Sequence, residues 1–500
     1  MQKKNSYSTP NYEVAIIGAG FSGVGAGIQL KKKNQDSFII FEKGKEVGGT
    51  WRDNTYPGCA CDIPSFLYSY SFEPNPKWSH TFSPQQEILD YLKKCVDKYG
   101  LNPHINYNTK ITSLRFNESK GYWTISDMAG NQTTAKVVIS AVGPFNAPNI
   151  PNIHGADSFK GEKFHSLNWN HNYNLKGKRV AVIGTGASAI QFIPEIATQV
   201  KDLHIFQRTA PWVVPRPNEK ISSKAHSRFE KFPWIQKFWR EVIYWFLEWR
   251  GLSLFSKNWV RKIRVKESLK HLNTQITDPE LRKKLIPNYE LGCKRVLVSS
   301  DYYPTLLREN VNLITEAVQE ICPQGIKKSN GEIIELDAII YGTGFHATTF
   351  NDVFEVFGRE QFNLFEKWNK EGAEAYLGTA ISGFPNLLFM VGPNSGLGHN
   401  SIIHMMESQY NYFLDYLDKL QKTKSPNTFF DLKKGVQKRF NEDIQKQLSK
   451  MVWNDGGCQS YYLRNGNGHN SSIWPGSTMK YRKKTKRVKL SDYNQVNISI

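Results

Sequence analysis

Apolar runs separated by glycine-rich turns predict two strand-turn-helix units in this chain of 500 residues. EVAIIGAGFSGVGAGIQLKKK, residues 13–33, is typical of a buried strand, a tight turn and a helix, and a second apolar strand, SFIIFEK, follows it. KRVAVIGTGASAIQFIPEIA, residues 178–197, repeats that order and is followed by the strand DLHIFQRT. Short apolar strands that alternate with helices indicate parallel sheets covered on both faces. We therefore predict an α/β fold with two Rossmann-like dinucleotide-binding domains.

The first glycine turn has the spacing of a dinucleotide site. Gly18, Gly20 and Gly23 form G-x-G-x-x-G, which lets the backbone turn tightly and approach a pyrophosphate. Glu42 ends the next strand at about the expected distance of 20 residues, where its carboxylate can accept hydrogen bonds from both ribose hydroxyls. The neighbouring positions predicted to bind the same nucleotide are Phe21, Ser22 and Lys43.

The second glycine turn predicts a nucleotide that carries an additional phosphate. Its loop positions are Gly184, Gly186, Ala187 and Ala189. The strand that follows ends in Gln-Arg-Thr instead of an acid. An acid would repel a 2′-phosphate, whereas the planar guanidinium of Arg208 can pair with it. We therefore predict NADP at this site.

Two dinucleotide sites in one chain indicate electron transfer between them. NADPH brings a hydride, and FAD is the most economical acceptor at the first site. Two further strands, in VVISAVGPFNAP (137–148) and ELDAIIYGTGF (335–345), end in a small-glycine pair, which suits backbone that passes close to a cofactor. We expect an FAD-binding domain at 1–147 and 345–500, an NADP-binding domain at 148–215 and 294–344, and a helical insertion at 216–293.

The predicted insertion contains an apolar stripe at helical spacing, with charges on the other side. The stripe comprises Ile235, Phe238, Trp239, Val242, Trp245, Phe246 and Trp249. We expect this helix to pack its stripe on the nucleotide domain. A membrane-surface helix and the wall of a substrate tunnel are the alternatives.

The net charge of +20 suggests anionic partners, such as nucleic acid or a membrane surface. Basic residues are spread along the chain, and the dense run KYRKKTKRVK at 480–489 is predicted to be a solvated C-terminal tail, with a surface-binding role as the alternative. Because no zinc finger, RNP pattern or helix-turn-helix signal accompanies these residues, we predict no nucleic-acid partner.

Compartment and cysteine usage give a further expectation. The polar lead MQKKNSYSTP enters a strand directly, without the apolar core of a signal peptide, so we predict a cytoplasmic protein. The six cysteines are then expected to be reduced. Cys59 and Cys61 lack the spacing of a zinc site or a redox pair, so we predict packing residues and no metal.

Two longer motifs carry a resemblance to a known family. FKGEKFHSLNW at 159–169 resembles F-x-G-x-x-x-H-x-x-x-W, the fingerprint of type I Baeyer-Villiger monooxygenases, whereas related flavin-containing N- and S-oxygenases end this motif in Tyr or Phe. The matching residues are Phe159, Gly161, His165 and Trp169. GGTWRDNTYPGCACD at 48–62 is similar to a second family motif. The resemblance extends from about residue 12 to about residue 480, and Asn170 departs from the Pro or Asp that often follows the tryptophan.

The resemblance implies roles for individual residues. Arg295 looks like the active-site arginine over the flavin, and Asp62 like the carboxylate that orients it. Lys294 looks like the partner of Arg208 and Thr209 around the 2′-phosphate. Positions similar to those that contact FAD in the family are Gly49, Thr50, Trp51, Asp62, Tyr68 and Ile111. Positions similar to those that hold the NADP pyrophosphate are Thr185, Ser188 and Gln191.

The resemblance also implies what the fingerprint does and where this chain departs from its relatives. We expect Phe159 and Trp169 to be packing anchors, Gly161 to give backbone freedom and His165 to be structural, so that the stretch couples nicotinamide occupancy to domain position. Near residue 460, relatives often have Ser-Trp, whereas Tyr461 follows Ser460 here. That departure affects the expected size of the substrate.

The implied activity is NADPH- and O2-dependent conversion of ketones to esters or lactones through a flavin C4a-peroxide. This species must stay deprotonated, and an arginine that cannot lose its proton suits that requirement. An N- or S-oxygenase on the same scaffold is the nearest alternative. A pyridine nucleotide-disulfide reductase and a nucleic-acid-binding flavoprotein are more distant ones.

Overall fold

The computed structural model describes residues 9–255, 259–346, 354–423, 425, 427–458, 460, 462–463 and 469–498. Two of the sequence observations, the polar lead at 1–8 and Tyr461, lie outside the described residues.

The helices are distributed over the whole chain, and the longest of them lies in the predicted insertion. In chain order they are α1 (Phe21–Lys32), α2 (Thr50–Asp53), α3 (Gln85–Lys98), α4 (Ala189–Ala197), α5 (Ser223–Lys231), α6 (Pro233–Phe255), α7 (Trp259–Gln275), α8 (Pro279–Leu285), α9 (Tyr302–Thr305), α10 (Leu364–Glu371), α11 (Ile402–Gln421), α12 (Lys434–Leu448), α13 (Val452–Asp455) and α14 (Thr478–Thr485).

The strands are short, and most of them belong to two sheets. In chain order they are β1 (Tyr12–Ile17), β2 (Phe38–Phe41), β3 (Ile105–Asn106), β4 (Ile111–Asn117), β5 (Tyr122–Asp127), β6 (Gln132–Ser140), β7 (Glu162–His165), β8 (Arg179–Ile183), β9 (Asp202–Phe206), β10 (Val213–Val214), β11 (Leu297–Val298), β12 (Val311–Ile314), β13 (Val318–Cys322), β14 (Gly325–Lys328), β15 (Ile333–Glu335), β16 (Ala338–Tyr341), β17 (Glu355–Phe357), β18 (Leu387–Phe389), β19 (Phe429–Leu432) and β20 (Tyr493–Val496).

The first sheet is built around β1 and has the order β17-β4-β5-β6-β1-β2-β3, with β18 pairing β6. Strand β1 is parallel to β2 and β6, whereas β4, β5 and β6 are antiparallel to one another in turn. Its central strands β1 and β2 are largely buried; α1 packs against both of them, and α11 packs on α1. Tyr410 of α11 donates its hydroxyl to the carbonyls of Phe21 and Ser22, each at 3.1 Å, which fixes α11 against the start of α1.

The second sheet is fully parallel and has the order β12-β9-β8-β16-β7. Its residues come from 162–206 and 311–341, on either side of the helical insertion. Parallel strands connected through helices make it a second Rossmann-like unit, so the predicted α/β class with two such units is confirmed.

The long helix of the insertion forms where the stripe predicts it, but its orientation differs from the prediction. The tryptophans and phenylalanines of the stripe are exposed, and Trp245 and Phe246 keep 53% and 51% of their surface. The expectation that this stripe packs on the nucleotide domain is therefore wrong. The face that packs inward is polar, because its side chains find hydrogen-bond partners inside the protein.

The basic C-terminal run is not a solvated tail. Most of it forms α14, which packs against α11, with Tyr481 and Val488 buried and the basic side chains outside. Strand β20 then pairs with β19 in antiparallel register. Tyr481 and Val488, which stand between the basic residues, therefore anchor this segment to the fold.

The expectation of six reduced cysteines is wrong for two of them. Cys293 and Cys458 form a disulfide, with Cα atoms 6.1 Å apart and a sequence separation of 165. Cys59, Cys61 and Cys95 are free and buried. In the part of the chain that the structure describes, no helix combines the length and apolarity needed to cross a bilayer.

Candidate active site

One cavity of about 2300 Å³ is lined by both glycine loops. Pockets for a single small ligand enclose roughly 300–1,000 Å³, so this cavity has room for two dinucleotides. The loops follow β1 and β8 at the carboxyl ends of parallel strands, where such sheets bind ligands. The predicted residues that line it are Gly18, Gly20, Phe21, Ser22, Glu42, Lys43, Gly49, Thr50, Trp51, Asp62, Tyr68, Ile111, Gly184, Thr185, Gly186, Ala187, Ser188, Gln191, Arg208, Thr209, Lys294 and Arg295.

Two predicted cofactor residues, Gly23 and Ala189, do not line the cavity. A Cβ on Gly23 would lie 1.8 Å from the carbonyl oxygen of Gly18, so this glycine is needed for packing of the helix on the loop. Ala189 has the same position in the second loop, and a Cβ on Gly342 would lie 2.9 Å from its methyl group. Both residues therefore shape the loops without facing the cavity.

The first loop has no space for a side chain at its first glycine. Gly18 has φ +104°, in the left-handed region, and a Cβ there would lie 2.8 Å from the carbonyl oxygen of Ala141. Ala141 follows β6, whose end was predicted to pass close to a cofactor. The loop backbone is therefore open toward the cavity, as a pyrophosphate requires.

Glu42 is held in place by donors from three directions. One carboxylate oxygen accepts the backbone N–H of Ala19 at 2.8 Å, and the other accepts the N–H of Gly44 at 2.8 Å and Nη1 of Arg52 at 2.7 Å. Sequence reasoning missed Arg52, although it stands inside the second family motif, next to Trp51. The network fixes Glu42 at the cavity wall before any nucleotide binds.

An aromatic wall continues the first site. Trp51 donates its indole N–H to the hydroxyl of Tyr68 at 3.1 Å, and the two rings meet edge to face at 5.5 Å. Burial raises the pKa of Tyr68, so its phenol stays neutral. Gln85, also absent from the prediction, donates to the carbonyl of Trp51. A rigid wall of this kind suits a planar ring system such as a flavin.

The second loop repeats the geometry of the first. Gly184 has φ +105°, and a Cβ there would lie 2.5 Å from the carbonyl oxygen of Gly342. Gly342 follows β16, the second strand end predicted to approach a cofactor. The backbone of the second loop is therefore also open toward the cavity.

Two cations of the second site meet in the cavity without a carboxylate partner. Burial, and then the charge of Arg208, lower the pKa of Lys294. Lys294 Nζ lies 5.0 Å from the ring centroid of Tyr289. Within the described part of the chain, no ion pair joins Arg208 or Lys294 to an acid. This environment fits a bound phosphate, which would neutralise both cations.

Arg295 and Asp62 form an ion pair at the junction of the two sites. Oδ2 of Asp62 accepts Arg295 Nε at 2.8 Å and lies 2.6 Å from Nη2. Both side chains line the cavity. The Arg295 side chain is 30% exposed and the Asp62 side chain is 26% exposed. The pair brings together residues 233 positions apart. It fixes a permanent cation beside both nucleotide loops.

The fingerprint residues lie outside the cavity lining and connect the two units by packing. The ring of Trp169 packs on Phe192 of α4 at 5.2 Å, and Phe192 contacts Tyr56 at 5.9 Å. Tyr56 donates to the side-chain carbonyl of Gln191 at 3.0 Å. The aromatic contacts therefore run from the fingerprint to the segment that carries Asp62.

The reason for the fingerprint glycine differs from the expected one. A Cβ on Gly161 would lie 2.5 Å from the carbonyl oxygen of Asp337 and 2.5 Å from the ring of Phe159. Close packing, not backbone freedom, therefore requires glycine. His165 is buried, its Nδ1 accepts the N–H of Leu167 at 3.0 Å, and burial lowers its pKa. These contacts agree with a structural histidine.

Further lining residues come from segments that sequence reasoning did not assign to the site. They include Tyr289, Leu397, Asn400, Met406, Tyr462 and Ile473. Leu397 and Asn400 lie in 384–401 and Tyr462 lies in 458–468, two segments that look like the family. Ser460 also lines the cavity. Tyr461, which was expected to affect the size of the substrate, lies outside the described residues.

Thiol and metal chemistry find little support at this site. Burial raises the pKa of the Cys59 thiol to about 12 and that of Cys61 still further. Both thiols are therefore protonated near neutral pH and poor nucleophiles. Among the described residues, no group of His, Cys, Asp and Glu could hold a metal ion.

Comparisons with known proteins agree with this geometry. A family model described as pyridine nucleotide-disulphide oxidoreductase matches residues 15–238. A Baeyer-Villiger monooxygenase of Pseudomonas aeruginosa is 47% identical, covering 96% of this chain and 91% of that protein. A Baeyer-Villiger monooxygenase of Streptomyces coelicolor is 42% identical, covering 96% and 92%.

Solved structures are similar over nearly the whole chain. OTEMO in complex with FAD and NADP superposes with a TM-score of 0.87 at 28% identity, covering 98% of this chain and all of that one. Cyclohexanone monooxygenase from Rhodococcus sp. Phi1 bound to NADP+ superposes with a TM-score of 0.86 at 25% identity and the same coverage.

Proposed function

We propose that this chain, which belongs to the family of Baeyer-Villiger monooxygenases, oxidises ketones to esters or lactones with Arg295 as its catalytic cation and Asp62 as the residue that positions it. It is an NADPH-dependent flavoprotein monooxygenase that uses FAD, NADP and O2. The observation that carries the catalytic assignment is the ion pair of these two residues in the cavity shared by both glycine loops.

The two loops are proposed to divide the cofactors between them. The loop at Gly18, with Glu42 and the wall of Trp51 and Tyr68, would hold FAD. The loop at Gly184, with Arg208 and Lys294, would hold NADP. When bound, these groups supply hydride transfer and the activation of O2.

Arg295 supplies a charge that does not depend on pH. Its guanidinium stays protonated under all ordinary conditions, so it stabilises a negatively charged oxygen without donating a proton to it. An oxygen kept anionic attacks the electrophilic carbon of a ketone carbonyl. The same cation then stabilises the oxyanion that forms on that carbonyl.

Asp62 orients the arginine. Its bonds to Nε and Nη2 hold one edge of the guanidinium plane. A preoriented cation needs little reorganisation when charge develops. Asp62 is therefore a positioning residue and takes no proton in this account.

The expected domain boundaries at 147/148, 215/216, 293/294 and 344/345 stay a proposal, supported by the two separate sheets. A cytoplasmic location also stays a prediction. The Cys293–Cys458 disulfide gives that prediction a direct test, because cytoplasmic thiols are normally kept reduced.

The reaction is tested with matched ketone and thioether substrates. We expect NADPH consumption by the holoprotein to rise with ketones, and one product heavier by one oxygen to form for each NADPH consumed. Thioethers of the same carbon skeleton should be slower substrates. Stimulation by thioethers or amines without any ester would instead indicate the N- or S-oxygenase alternative.

A further inference from the structure

Helix α6 has its polar and apolar faces reversed relative to an ordinary surface helix. The inward face carries Gln236, Arg240, Tyr244 and Glu248, at intervals of four residues. Gln236 donates to the carbonyl of Asn75 at 2.6 Å, and Arg240 donates to the carbonyl of Phe66 at 2.6 Å. These hydrogen bonds, together with the packing of Tyr244, Ile243 and Leu247 on the core, hold the helix, so its exposed aromatic residues are not needed for the core.

The outward face is a continuous aromatic surface. Trp234, Phe238, Val242, Trp245 and Trp249 follow one another at intervals of three and four residues and are all exposed. Trp234 keeps 66% of its surface and Phe238 keeps 58%. The neighbouring helix α7 extends this surface, since its exposed Trp259 lies 6.1 Å from the Trp249 ring. Water-facing tryptophans in such a cluster mark an interaction site.

Basic side chains surround the aromatic surface. Residues 216–293 contain 17 Lys or Arg and 8 Asp or Glu. The guanidinium of Arg250 lies 5.5 Å from the centroid of the Phe246 ring. On α7, Lys262 and Lys266 are exposed beside Ile263. The insertion therefore combines exposed aromatic rings with a net positive charge.

A second basic element begins beside the middle of α6. The Thr478 hydroxyl lies 2.8 Å from that of Tyr244 and donates to Glu248 at 2.8 Å, so the start of α14 is fixed to α6. The exposed basic residues that follow are Lys480, Arg482, Lys483, Lys484, Lys486, Arg487 and Lys489. The run 480–489 contains no acid. The start of the densest basic segment of the chain is thus fixed to the inward side of α6, the helix whose outward face is aromatic.

We propose that the aromatic surface of α6 and α7, with the basic rim from α14, docks on an anionic lipid bilayer. Tryptophan and phenylalanine on one face of a helix, with Lys and Arg around them, are typical of helices that lie in the plane of a membrane interface. Negative headgroups complement the rim by charge. The helix would lie on the surface, because none of the described helices is apolar enough to cross it.

A second copy of the chain is a poorer partner for this surface. In a two-fold interface the same patch contacts itself, so each basic rim would face its own image. The net charge of +20 on each copy adds to that repulsion. The charge pattern therefore favours an anionic surface over self-association.

The proposal is tested by sedimenting the full-length holoprotein with vesicles of phosphatidylcholine alone or mixed with phosphatidylglycerol. We expect binding to the mixed vesicles, weaker binding at high salt, and little binding to phosphatidylcholine. Trp245→Ser with Trp249→Ser should lower the partition coefficient by about tenfold or more. Lys483→Glu with Lys484→Glu should lower it by about fivefold for each charge removed.

Matched controls distinguish binding through the aromatic surface from nonspecific adsorption to the vesicles. Phe238→Ser should weaken binding, whereas Phe362→Ser, at a similar exposure of 53% in another part of the protein, should not. Lys160→Glu with Lys201→Glu removes two exposed lysines from the second sheet unit and should change binding little. Flavin absorbance and basal NADPH oxidation should stay unchanged in every variant, and the binding assay does not depend on catalysis.

Two results would overturn the proposal. The first is that the protein does not sediment with anionic vesicles, or that the tryptophan variants sediment as well as the unmodified chain. The second is a dimer in analytical ultracentrifugation that the tryptophan variants convert to a monomer, which would assign the surface to a second copy.

Discussion

The two glycine loops share one backbone geometry and differ in what stands at the end of the following strand. Gly18 and Gly184 have φ of +104° and +105°, and each approaches the carbonyl oxygen of a neighbouring strand end. At the first loop, Glu42 is satisfied by donors inside the protein. At the second, Arg208 and Lys294 bring positive charge into the cavity, and no carboxylate of a described residue forms an ion pair with either of them.

We propose that this difference separates a permanent cofactor from an exchanging one. A site whose polar groups are already fixed holds its nucleotide with little reorganisation, which suits a prosthetic FAD. A site with two uncompensated cations gains most from the 2′-phosphate, which distinguishes NADPH from NADH. The comparison therefore assigns retention to the first loop and selectivity to the second.

The largest effects are expected from filling the two turns. Gly18→Ala puts a methyl group 2.8 Å from the Ala141 oxygen at a left-handed φ, so we expect the protein to lose FAD on purification. Gly184→Ala meets Gly342 in the same way and should keep FAD, while KM for NADPH rises by about tenfold or more, as expected for backbone strain of about 1–3 kcal/mol. The measurements are flavin absorbance per chain and steady-state kinetics.

Gly130→Ala is the matched control for these two variants. Gly130 also has a left-handed φ of +86°, but a Cβ there would meet nothing within 4 Å. It should retain both cofactors. A Gly18→Ala protein with full flavin content would refute the role of the close approach to Ala141.

Removing either cation should abolish much of the preference for NADPH. A hydrogen bond to a charged group contributes about 1.5–3 kcal/mol, so Arg208→Ala or Lys294→Ala should raise KM for NADPH by about tenfold to a hundredfold. KM for NADH should change little, because NADH has no 2′-phosphate. Lys43→Ala, beside Glu42 in the first site, should leave the coenzyme preference unchanged; a shift there would contradict the division between the two sites.

The depressed pKa of Lys294 predicts a dependence on pH. Burial and the neighbouring Arg208 disfavour its cationic form, so the positive charge is present at low pH and is lost on the alkaline side earlier than for an ordinary lysine. KM for NADPH should therefore rise with pH in the alkaline range, and Lys294→Arg should flatten this rise. Superimposable pH profiles of KM for the two proteins would show that Lys294 does not contact the phosphate.

The smallest effect is expected from the disulfide. Cys293 directly precedes Lys294, and Cys458 is itself a lining residue, so the bond supports the second site from one side. Cys293→Ser with Cys458→Ser should raise KM for NADPH by less than Lys294→Ala does and leave flavin content unchanged. Cys322→Ser, at a free thiol, is the control. A loss of FAD from the double variant would contradict this assignment.

The sequence predicted the parts of the fold that depend on local spacing. The family resemblance alone implied the pair of Arg295 and Asp62, which are 233 positions apart. Both glycine turns and the strand after each could be named from the sequence itself. Their spacing reflects backbone sterics, which act over a few residues. The fold confirms the two Rossmann-like units, and the residue roles stay proposals.

Other features depend on which surfaces meet, and spacing does not specify this. The stripe of α6 defines an apolar face, but only the partners of Gln236 and Arg240 determine that this face is exposed. The disulfide joins residues 165 positions apart, and nothing in the local pattern pairs them. The run at 480–489 is folded, with most of it in α14, because Tyr481 and Val488 find a core to enter.

The central claim, that Arg295 is the fixed cation of the oxygenation step, is tested most directly by the products of Arg295→Ala. We expect this variant to retain FAD and to form ester about a hundredfold more slowly or worse, the usual loss when a preorganised charge donor is removed. Products should be quantified by mass, together with hydrogen peroxide, after a measured amount of NADPH has been consumed. Ester formation near the rate of the unmodified enzyme would contradict the account.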